Sequence, residues 1–400
     1  MRTRTFLLCG CLALTGIAAT ASSTKPFPPV PNGHTQLAPP ADPNHFTFIM
    51  GGDNRSAGHN TPMPPALDQI CREIGLIHPP FVLWTGDVIE GYNDSVPEAN
   101  AEYDAFLRAA SLCGVPMFNA PGNHEFSLDA KLLPVYEQRI GPLYGSFDYG
   151  NSHFIALNST AVQPNGAFVG GAIDDAQWAW LQADLEANKA ARNTFVMLHH
   201  YVFGPPDVDT PTLDSGFSNI ADRDRLHALM VKYGVRAVFC GHNHIYWHTN
   251  KDGVEYFISG GAGAPLDATP DKGGYLHYVL MTVDGTKLTS QILQPWHLET
   301  DYPEGDDEGA HTERVRLTNT NDFPVTAGRV VFHLAAPSAG QTLTVEASTA
   351  YKKKTKLGKA QIVSVQPVPG KQEVEVAVEV ALPPARTTEV RVLPGAPTTK

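Results

Sequence analysis

Residues 237–244 read AVFCGHNH, an apolar run that ends directly in a glycine and two histidines. The four apolar residues predict a short buried strand. Two imidazole rings at the end of a buried strand lose contact with water, which costs free energy unless the rings bind something. The stretch therefore predicts a ligand site at the end of this strand, with His242 and His244 as its first candidates.

Four further polar clusters also follow apolar runs predicted to be strands. They are Gly52-Asp53-Asn54-Arg55, Gly86-Asp87, Gly122-Asn123-His124-Glu125 and His199-His200. Loops after strand ends assemble ligand sites in open α/β sheets, so the five clusters are expected to converge. A glycine before the acid or histidine allows a tight turn away from the strand. Carboxylate, amide and imidazole donors suit Zn, Fe or Mn better than a calcium cage.

Between residues 45 and 298, short apolar runs alternate with helical patterns, which predicts a layered α/β domain. A capping-box pattern at Asp174 and Gln177 begins one helix, and a second is expected over about residues 221–233, ending at Gly234. A hairpin is expected from residues 276–283 and 287–293. The predicted strands are residues 46–50, 81–84, 116–119, 154–157, 195–198, 237–240 and 256–259.

The C-terminal quarter differs in character. Residues 299–310 are rich in Asp, Glu, Pro and Gly, and they predict a hydrated acidic linker. Residues 311–400 alternate apolar residues with turn signals, which is typical of an immunoglobulin-like β-sandwich. The predicted strands there are residues 315–317, 330–334, 343–347, 362–365, 374–380 and 389–393.

The N-terminus has the pattern of a secretory signal peptide. Arg2 and Arg4 precede an apolar run that is too short to span a bilayer, and residues 19–21 read ATA, a cleavage pattern. Residues 1–21 are therefore expected to be removed near Ala21 from a secreted or periplasmic protein. The alternatives are a lipid anchor, because residues 8–11 loosely resemble a lipoprotein box, and a buried helix. Residues 22–44 contain seven prolines and predict an extended leader.

Composition limits the function. The chain has 400 residues, of which 42% are hydrophobic and 18% charged, which is typical of two or three folded domains. A net charge of -12 argues against a nucleic-acid groove. Beyond the N-terminal apolar run, no apolar stretch of the sequence reaches the length of a membrane span. After cleavage, an oxidising compartment would permit one disulfide, and we expect Cys71 and Cys113 to form it, with Cys240 buried in its strand.

The ordered clusters resemble the motifs of the calcineurin-like metallophosphoesterase superfamily, which run D-x-H, GD, GNH[DE], a strand-end His and GHxH. The resemblance covers about residues 45–298. Residues 52–55 (GDNR), 84–87 (WTGD) and 259–266 (SGGAGAPL) are similar to the secreted bacterial branch, which is related to purple acid phosphatases. The resemblance implies a four-layer αββα sandwich that hydrolyses phosphate mono- or diesters by attack of a metal-bridging hydroxide.

The same resemblance implies two divalent or trivalent metal ions, Zn, Mn or Fe, and a role for each motif residue. His124 is expected to act as the acid for the leaving group or as an electrostatic stabiliser. His200 is the alternative to His199, which is preferred because it lies directly at the strand end. Asp87 would bridge both metals, Asp53 and His244 would hold the first, and Asn123, His199 and His242 would complete the second.

One position departs from the family pattern. Arg55 stands where many members have a metal-binding His, and Glu90 stands where purple acid phosphatases have a Tyr. The first metal is then expected to use Asn54, Glu90 or water. Arg55 would either grip a phosphoryl oxygen or form a structural salt bridge to an acid such as Glu90. The competing function is a catalytically impaired cell-surface binding protein that uses the β-sandwich.

The substrate is expected to be a small phosphate ester, and the choice between monoester and diester depends on the loops at residues 88–100, 160–172 and 202–220. Residues 201–220 form a candidate lid or simply a surface loop. Tyr246, Trp247 and His248 follow the last motif. They would either stack on a nucleoside or sugar or pack in the core.

Overall fold

Two mixed β-sheets form the centre of the N-terminal three quarters of the chain. The structure, a computed structural model, describes residues 25–92, 94–127, 130–162, 168–206, 216–303, 313–338, 341–351 and 354–394. The strands and helices of this part are β1 (His45–Gly51), α1 (Pro65–Ile77), β2 (Val82–Trp84), α2 (Val96–Ser111), β3 (Met117–Asn119), α3 (Leu133–Arg139), β4 (Gly145–Tyr149), β5 (Ser152–Ala156), β6 (Thr160–Val162), β7 (Phe168–Gly170), α4 (Asp175–Ala187), β8 (Asn193–Met197), α5 (Ile220–Lys232), β9 (Ala237–Cys240), β10 (Tyr246–Lys251), β11 (Val254–Ser259), β12 (Tyr278–Asp284) and β13 (Lys287–Leu293).

The first sheet has the order β13-β12-β1-β2-β3 and the second β10-β11-β9-β8-β5-β4. An aromatic core fills the space between them. Phe48 of β1 stacks on Phe81 with 5.4 Å between ring centroids, and it meets the edge of Phe154 and of Phe239 at 5.6 Å. Because successive strand residues point to opposite faces, Ile49 instead packs toward the α1 and α2 side. Trp178 and Leu226 of α4 and α5 cover the second sheet, so the layers run helix, sheet, sheet, helix.

All seven strands predicted for this part are present, as are both helices and the hairpin. The predicted capping box is half formed. Asp174 accepts a hydrogen bond from the backbone N–H of Gln177 at 2.8 Å, as predicted. The Gln177 side chain does not return the bond, because it exchanges two hydrogen bonds with the backbone of Asn158. A buried tertiary partner has therefore displaced the local one.

The Pro-rich leader is extended, but it also contributes to the core. Phe27 is buried between the sheets and Val30 is buried beside α2 and β3. Their backbone N–H groups donate to Ser146 O at 3.0 Å and to Met117 O at 2.7 Å. The two residues tie the leader to both sheets. The expected signal peptide, residues 1–21, lies outside the described residues.

The C-terminal part consists of two antiparallel sheets, with the orders β14-β15-β21-β17-β18 and β16-β20-β19. The first three residues of the expected linker belong to a strand, because residues 298–301 pair with residues 316–319. Residues 304–310 of that linker lie outside the described part of the chain. The strands are β14 (Leu298–Asp301), β15 (Arg314–Asn319), β16 (Val325–Ala335), β17 (Leu343–Tyr351), β18 (Lys354–Leu357), β19 (Ala360–Pro367), β20 (Glu373–Leu382) and β21 (Arg386–Pro394).

Helix α1 joins the two parts of the molecule. One continuous apolar cluster contains Ile70 and Ile74 of α1 together with Phe332 of β16 and Val376 of β20. Glu73 of α1 is 1% exposed. Its carboxylate accepts hydrogen bonds from the Trp296 N–H at 2.6 Å and from the Tyr278 hydroxyl at 2.5 Å. The C-terminal sheets therefore pack against α1 of the N-terminal part.

The expected disulfide is not present. Cys71, Cys113 and Cys240 are all free and buried. A hydrogen bond to Cys113 and burial together raise the pKa of the Cys71 thiol well above its ordinary value. Cys71 and Cys113 are neighbours, as expected, but they do not form a disulfide bond. Cys240 is buried at the end of β9, as expected. Among the described residues, no helix combines the length and apolar character needed to cross a membrane.

His153 of β5 is held between two carboxylates. Its Nδ1 lies 2.6 Å from Oδ1 of Asp148, and its Nε2 lies 2.8 Å from Oδ2 of Asp184. Burial opposes protonation of the ring, but the two hydrogen-bonded carboxylates outweigh it and raise the pKa of His153 to about 9. The ring is therefore a cation at neutral pH and pins α4 to the sheet.

We expect His153→Gln to destabilise the fold strongly at pH 6 and much less at pH 10. The pKa of His153 rises from 6.5 to about 9 on folding, so its contribution is complete below pH 6.5 and is lost through pH 9. That difference corresponds to roughly 3 kcal/mol. Urea unfolding at both pH values measures it, with His333→Gln as the control, since the side chain of His333 is 36% exposed and lies 3.6 Å from a single carboxylate. A pH-independent stability difference would contradict the charged pair.

Candidate metal centre

The polar clusters that follow five strands meet at one edge of the two sheets. They come after β1, β2, β3, β8 and β9. Asp53, Asp87 and His242 adopt left-handed backbone conformations, with φ of 62°, 52° and 72°. Such a conformation costs a non-glycine residue about 1–3 kcal/mol and is typical of functional sites. The strand ends therefore turn sharply at the residues that point into the cluster.

The glycines before these residues provide space more than conformational freedom. Of Gly52, Gly86, Gly122 and Gly241, only Gly86 has a positive φ, at 95°. A Cβ at Gly241 would lie 2.2 Å from Oδ2 of Asp53, and one at Gly122 would lie 2.1 Å from Oδ1 of Asp87. Any side chain there would displace a carboxylate. The sequence-based reason for the glycines was therefore correct for Gly86, whereas Gly122 and Gly241 leave room for the carboxylates.

His199 presents an unprotonated nitrogen to the cluster. Its Nδ1 donates to the Thr85 carbonyl oxygen at 2.7 Å, which leaves the lone pair on Nε2. That Nε2 lies 2.9 Å from Oδ1 of Asn123 and 3.3 Å from Oδ1 of Asp87. Burial lowers the pKa of His199, so the ring stays neutral. Lone pairs therefore face one another without a hydrogen between them, which is the arrangement that a cation stabilises.

The fourth donor completes a coordination-sized set. Nδ1 of His242 lies 3.0 Å from Oδ1 of Asn123 and 3.2 Å from Nε2 of His199. Ligands about 2.1 Å from one metal ion in octahedral or tetrahedral geometry are about 3.0–3.4 Å apart. The donor atoms of Asp87, Asn123, His199 and His242 thus already have the spacing of ligands around one ion.

A second set of donors lies around Asp53. Nδ1 of His244 donates to the Pro265 carbonyl oxygen, so its Nε2 carries the lone pair. That Nε2 lies 3.7 Å from Oδ1 of Asp53. The other carboxylate oxygen of Asp53, Oδ2, is buried without a hydrogen-bond partner. One atom each from Asp53, Asp87 and His199 lie within 4.8 Å of one another, so Asp87 stands between the two sets.

The structure separates His199 from its rival. Nδ1 of His200 lies 2.8 Å from the Ser159 hydroxyl oxygen. Its Nε2 faces Gly170, where a Cβ would approach it to 2.5 Å. His200 therefore packs behind the cluster, with its ring centroid 4.5 Å from that of His242.

Burial and neighbouring charges set the ionisation of the acids. Burial and the nearby Asp87 raise the pKa of Asp53 well above its ordinary value. Burial also opposes ionisation of Asp87, but His199, His124 and Arg55 hold the pKa of Asp87 below its usual range. Two adjacent buried carboxylates repel each other unless positive charge lies between them. The electrostatics therefore agree with the donor geometry in calling for a cation.

Arg55 faces Asp87, with 3.8 Å between Nε and Oδ2. That Nε is buried without a hydrogen-bond partner, while Nη1 donates to the Ser56 carbonyl oxygen at 3.1 Å. The salt bridge that the sequence suggested to Glu90 is replaced by this pairing with Asp87. Asn54 is not a candidate ligand, because its Oδ1 accepts from the Trp84 indole and its Nδ2 donates to the Val88 carbonyl oxygen. Glu90 retains one buried carboxylate oxygen without a partner.

His124 lies at the rim of the centre. Its Nδ1 donates to the Glu90 carbonyl oxygen, so Nε2 faces the cluster 3.8 Å from Oδ2 of Asp87. Burial, together with Arg55, outweighs the attraction of Asp87 and lowers the pKa of His124 to about 4. The ring stacks on Tyr92, with 3.9 Å between centroids.

Two supporting residues were missed by the sequence reasoning. The Tyr92 hydroxyl accepts a hydrogen bond from the Asn123 amide nitrogen, which turns Oδ1 of Asn123 toward the other donors. The Glu125 carboxylate accepts from the backbone N–H groups of Asp87, Val88 and Gly122, so it joins two of the loops. The motif Gly122-Asn123-His124-Glu125 contained the signal for Glu125. Nothing in the local sequence distinguishes Tyr92.

Comparison with known families agrees with this centre. The family model described as calcineurin-like phosphoesterase matches residues 44–246, about half of the chain. The chain belongs to the calcineurin-like phosphoesterase family and is a hydrolase that acts on phosphoester bonds. The family implies a dinuclear metal centre, and the converging donors of Asp53, Asp87 and His199 fit one. No curated protein sequence matches the chain significantly.

Among solved structures, the chain is similar to two proteins at low sequence identity. GAP50, the anchor in the inner membrane complex of Plasmodium, is 14% identical over 62% of this chain and 84% of its own, with a TM-score of 0.44. A dimetal phosphatase from Danio rerio is 15% identical over 62% of this chain and 99% of its own, with a TM-score of 0.43.

Proposed function

We propose that the protein is a secreted, metal-dependent phosphoesterase that hydrolyses small phosphate mono- or diesters at the centre described above. The observation that carries the proposal is the meeting of oxygen and nitrogen atoms from Asp87, Asn123, His199 and His242 at the separations of ligands around one ion. Burying these polar atoms together costs free energy unless a cation lies between them. A metal-assisted hydrolase needs such a set of ligands to hold its ions.

In this proposal Asp53 and His244 hold one ion, Asn123, His199 and His242 hold the other, and Asp87 contributes to both. Zn, Mn and Fe suit these carboxylate, amide and imidazole ligands. When bound, the ions supply Lewis acidity toward the phosphoryl oxygens and an activated water. Tyr92 and Thr85 fix the orientation of Asn123 and His199, so both donors are preorganised.

His124 is placed to handle the leaving group. With Nδ1 committed to the Glu90 carbonyl oxygen, only Nε2 can exchange a proton with a substrate. A dianionic phosphate beside the ring favours protonation of that nitrogen. His124 then stabilises negative charge on the phosphoryl group and holds a proton at Nε2 for the departing oxygen.

Hydrolysis assays test the proposal directly. Purified full-length protein is assayed with p-nitrophenyl phosphate and with bis(p-nitrophenyl) phosphate, each with added Mn, Zn or Fe and with a chelator as the control. Metal-dependent release of p-nitrophenol is expected, and the ratio of the two rates assigns the enzyme to monoesters or diesters. Absence of turnover with every metal would overturn the proposal.

Arg55 is proposed to bind a phosphoryl oxygen of the substrate. Its buried Nε, which has no hydrogen-bond partner, and its position beside Asp87 support this role. We expect Arg55→Ala to raise KM by about 10- to 100-fold, the value of a charge-assisted hydrogen bond, while the metal content stays constant. Steady-state kinetics with metal analysis test this, and Arg316→Ala in β15 serves as the control. An unchanged KM would assign Arg55 a purely structural role.

We further propose the division of the chain that the sequence suggested. Residues 1–21 would be a signal peptide, 22–44 a leader, 45–298 the catalytic domain, 299–310 a linker whose first three residues form part of β14, and 311–400 an immunoglobulin-like β-sandwich. The antiparallel pairing of the C-terminal strands supports the last part. N-terminal sequencing of the mature protein from culture medium or periplasm tests the cleavage site, and an intact Met1 would contradict it.

A further inference from the structure

An open groove of about 660 Å³ lies next to the metal centre. Three aromatic residues, Tyr246, Trp247 and Tyr275, line it together with polar residues of the segment 267–273. Asp267 belongs both to the groove and to the support of the centre, because its Oδ2 accepts from the backbone N–H of His244 at 2.8 Å. A molecule in the groove is therefore one residue away from a proposed metal ligand.

Two of the three rings, those of Tyr246 and Tyr275, are held in place by His277, whereas Trp247 follows Tyr246 in β10 and packs on the opposite face of the strand. The buried His277 ring meets the rings of Tyr246 and Tyr275 edge-on, with centroids 5.6 Å and 5.3 Å apart. The three aromatic side chains are only half-buried, so part of each ring is accessible. The rigid rings can therefore stack on a ligand at little entropic cost.

The groove also contains an unused hydrogen-bond donor. The indole Nε1 of Trp247 is buried and has no hydrogen-bond partner. An unpaired buried N–H costs about 1–3 kcal/mol and therefore needs an explanation. A ligand acceptor, such as a hydroxyl or ring oxygen, would satisfy it once a small rotation of the indole turns Nε1 toward the groove.

The charges in the groove select the kind of ligand. Asp267 and Asp271 oppose one cation, Lys272, so the wall is negative overall. A second phosphate would be repelled there, whereas hydroxyl groups can donate to the carboxylates. Aromatic faces, carboxylates and an indole N–H together suit a neutral ring that carries hydroxyls.

We propose that this groove binds the hydroxylated ring of the leaving group, so that the substrates are phosphate esters of a sugar or a nucleoside. The inference rests on the proposed function, because the phosphoryl group must lie at the metal centre. Hydrolysis breaks the bond between phosphorus and the ester oxygen. Water supplies the oxygen that joins phosphorus and the proton that converts the released ester oxygen to a hydroxyl.

Kinetics with matched substrates test the groove. We expect Tyr275→Leu to lower kcat/KM by about 3- to 10-fold for glucose 6-phosphate or adenosine 5′-monophosphate, the effect of one lost stacking contact. Ethyl phosphate, which has no ring, should be affected less than about twofold. Trp247→Phe, which keeps an aromatic ring but removes the N–H, should give a similar loss. Trp180→Phe, outside the groove, is the control. The ring substrate whose kcat/KM falls more identifies the ligand as a sugar or a nucleoside. An equal fall in kcat/KM for ethyl phosphate would overturn the proposal.

A binding measurement separates this proposal from the proposed catalytic function. Isothermal titration calorimetry of the full chain with free glucose and free adenosine requires no turnover. Binding of one of them that weakens in Tyr275→Leu supports the groove even if no phosphate ester is hydrolysed. Binding of neither, to a protein that hydrolyses ethyl phosphate as fast as the ring esters, rejects the groove and leaves the hydrolase intact.

Discussion

Asp87→Ala is expected to lose metal from at least one position and to reduce phosphoester hydrolysis by about 10³-fold or more. The expectation follows from the place of Asp87 between the two donor sets, since it lies 3.3 Å from His199 Nε2 and within 4.8 Å of a carboxylate oxygen of Asp53. Its removal leaves the converging imidazoles without the anion that offsets a metal charge. Loss of Lewis acidity removes several kcal/mol of transition-state stabilisation.

Metal analysis of the purified variant, alongside turnover, is the measurement. The matched control is Asp184→Asn, since Asp184 is also fully buried but pairs with His153 on the outer side of the second sheet. It should lower stability and leave the metal content unchanged. Full metal content in Asp87→Ala would remove Asp87 from the proposed ligand set.

His124→Ala should keep its metal and lose about 10²- to 10⁴-fold in turnover, the usual value of a positioned acid or base. The reason is geometric. Its Nδ1 is hydrogen-bonded to the Glu90 carbonyl oxygen and its ring stacks on Tyr92, so Nε2 is held facing the metal centre.

A leaving-group series sharpens this second test. The loss should be largest for alkyl phosphates, whose leaving oxygen needs a proton, and smaller for p-nitrophenyl phosphate, whose leaving group is a weak base. His227→Ala, which removes a ring paired with Asp252 away from the centre, serves as the control. Equal turnover in His124→Ala would exclude a catalytic role, and loss of metal would show a ligand role instead.

The predictable part of this molecule was local. Each cluster directly follows a buried strand, and the ends of such strands share one edge of the sheet. The sequence therefore predicted that Asp53, Asp87 and His242 lie close together. His199 and His200 are neighbours in sequence, but hydrogen bonds to Thr85 and Ser159 orient their rings differently. Sequence spacing alone contains no information on those bonds.

The parts that escaped prediction depend on distant contacts. Tyr92 becomes important because a turn returns its hydroxyl to Asn123. Val30 lies in a proline-rich segment, yet a backbone hydrogen bond to Met117 places it in the core. Gln177 matched a local capping rule and was captured by Asn158 instead. In each case a tertiary partner outweighed the local preference.

The shared core at α1 has a consequence for how the molecule comes apart. Since Ile70 and Phe332 belong to one continuous apolar cluster, and the Glu73 carboxylate is buried against Trp296, the C-terminal strands cannot leave without exposing that helix to water. Helix α1 begins soon after the loop that carries Asp53. The two parts should therefore unfold in one cooperative transition. The C-terminal strands would then stabilise the helix that follows the Asp53 loop, instead of moving as an independent domain.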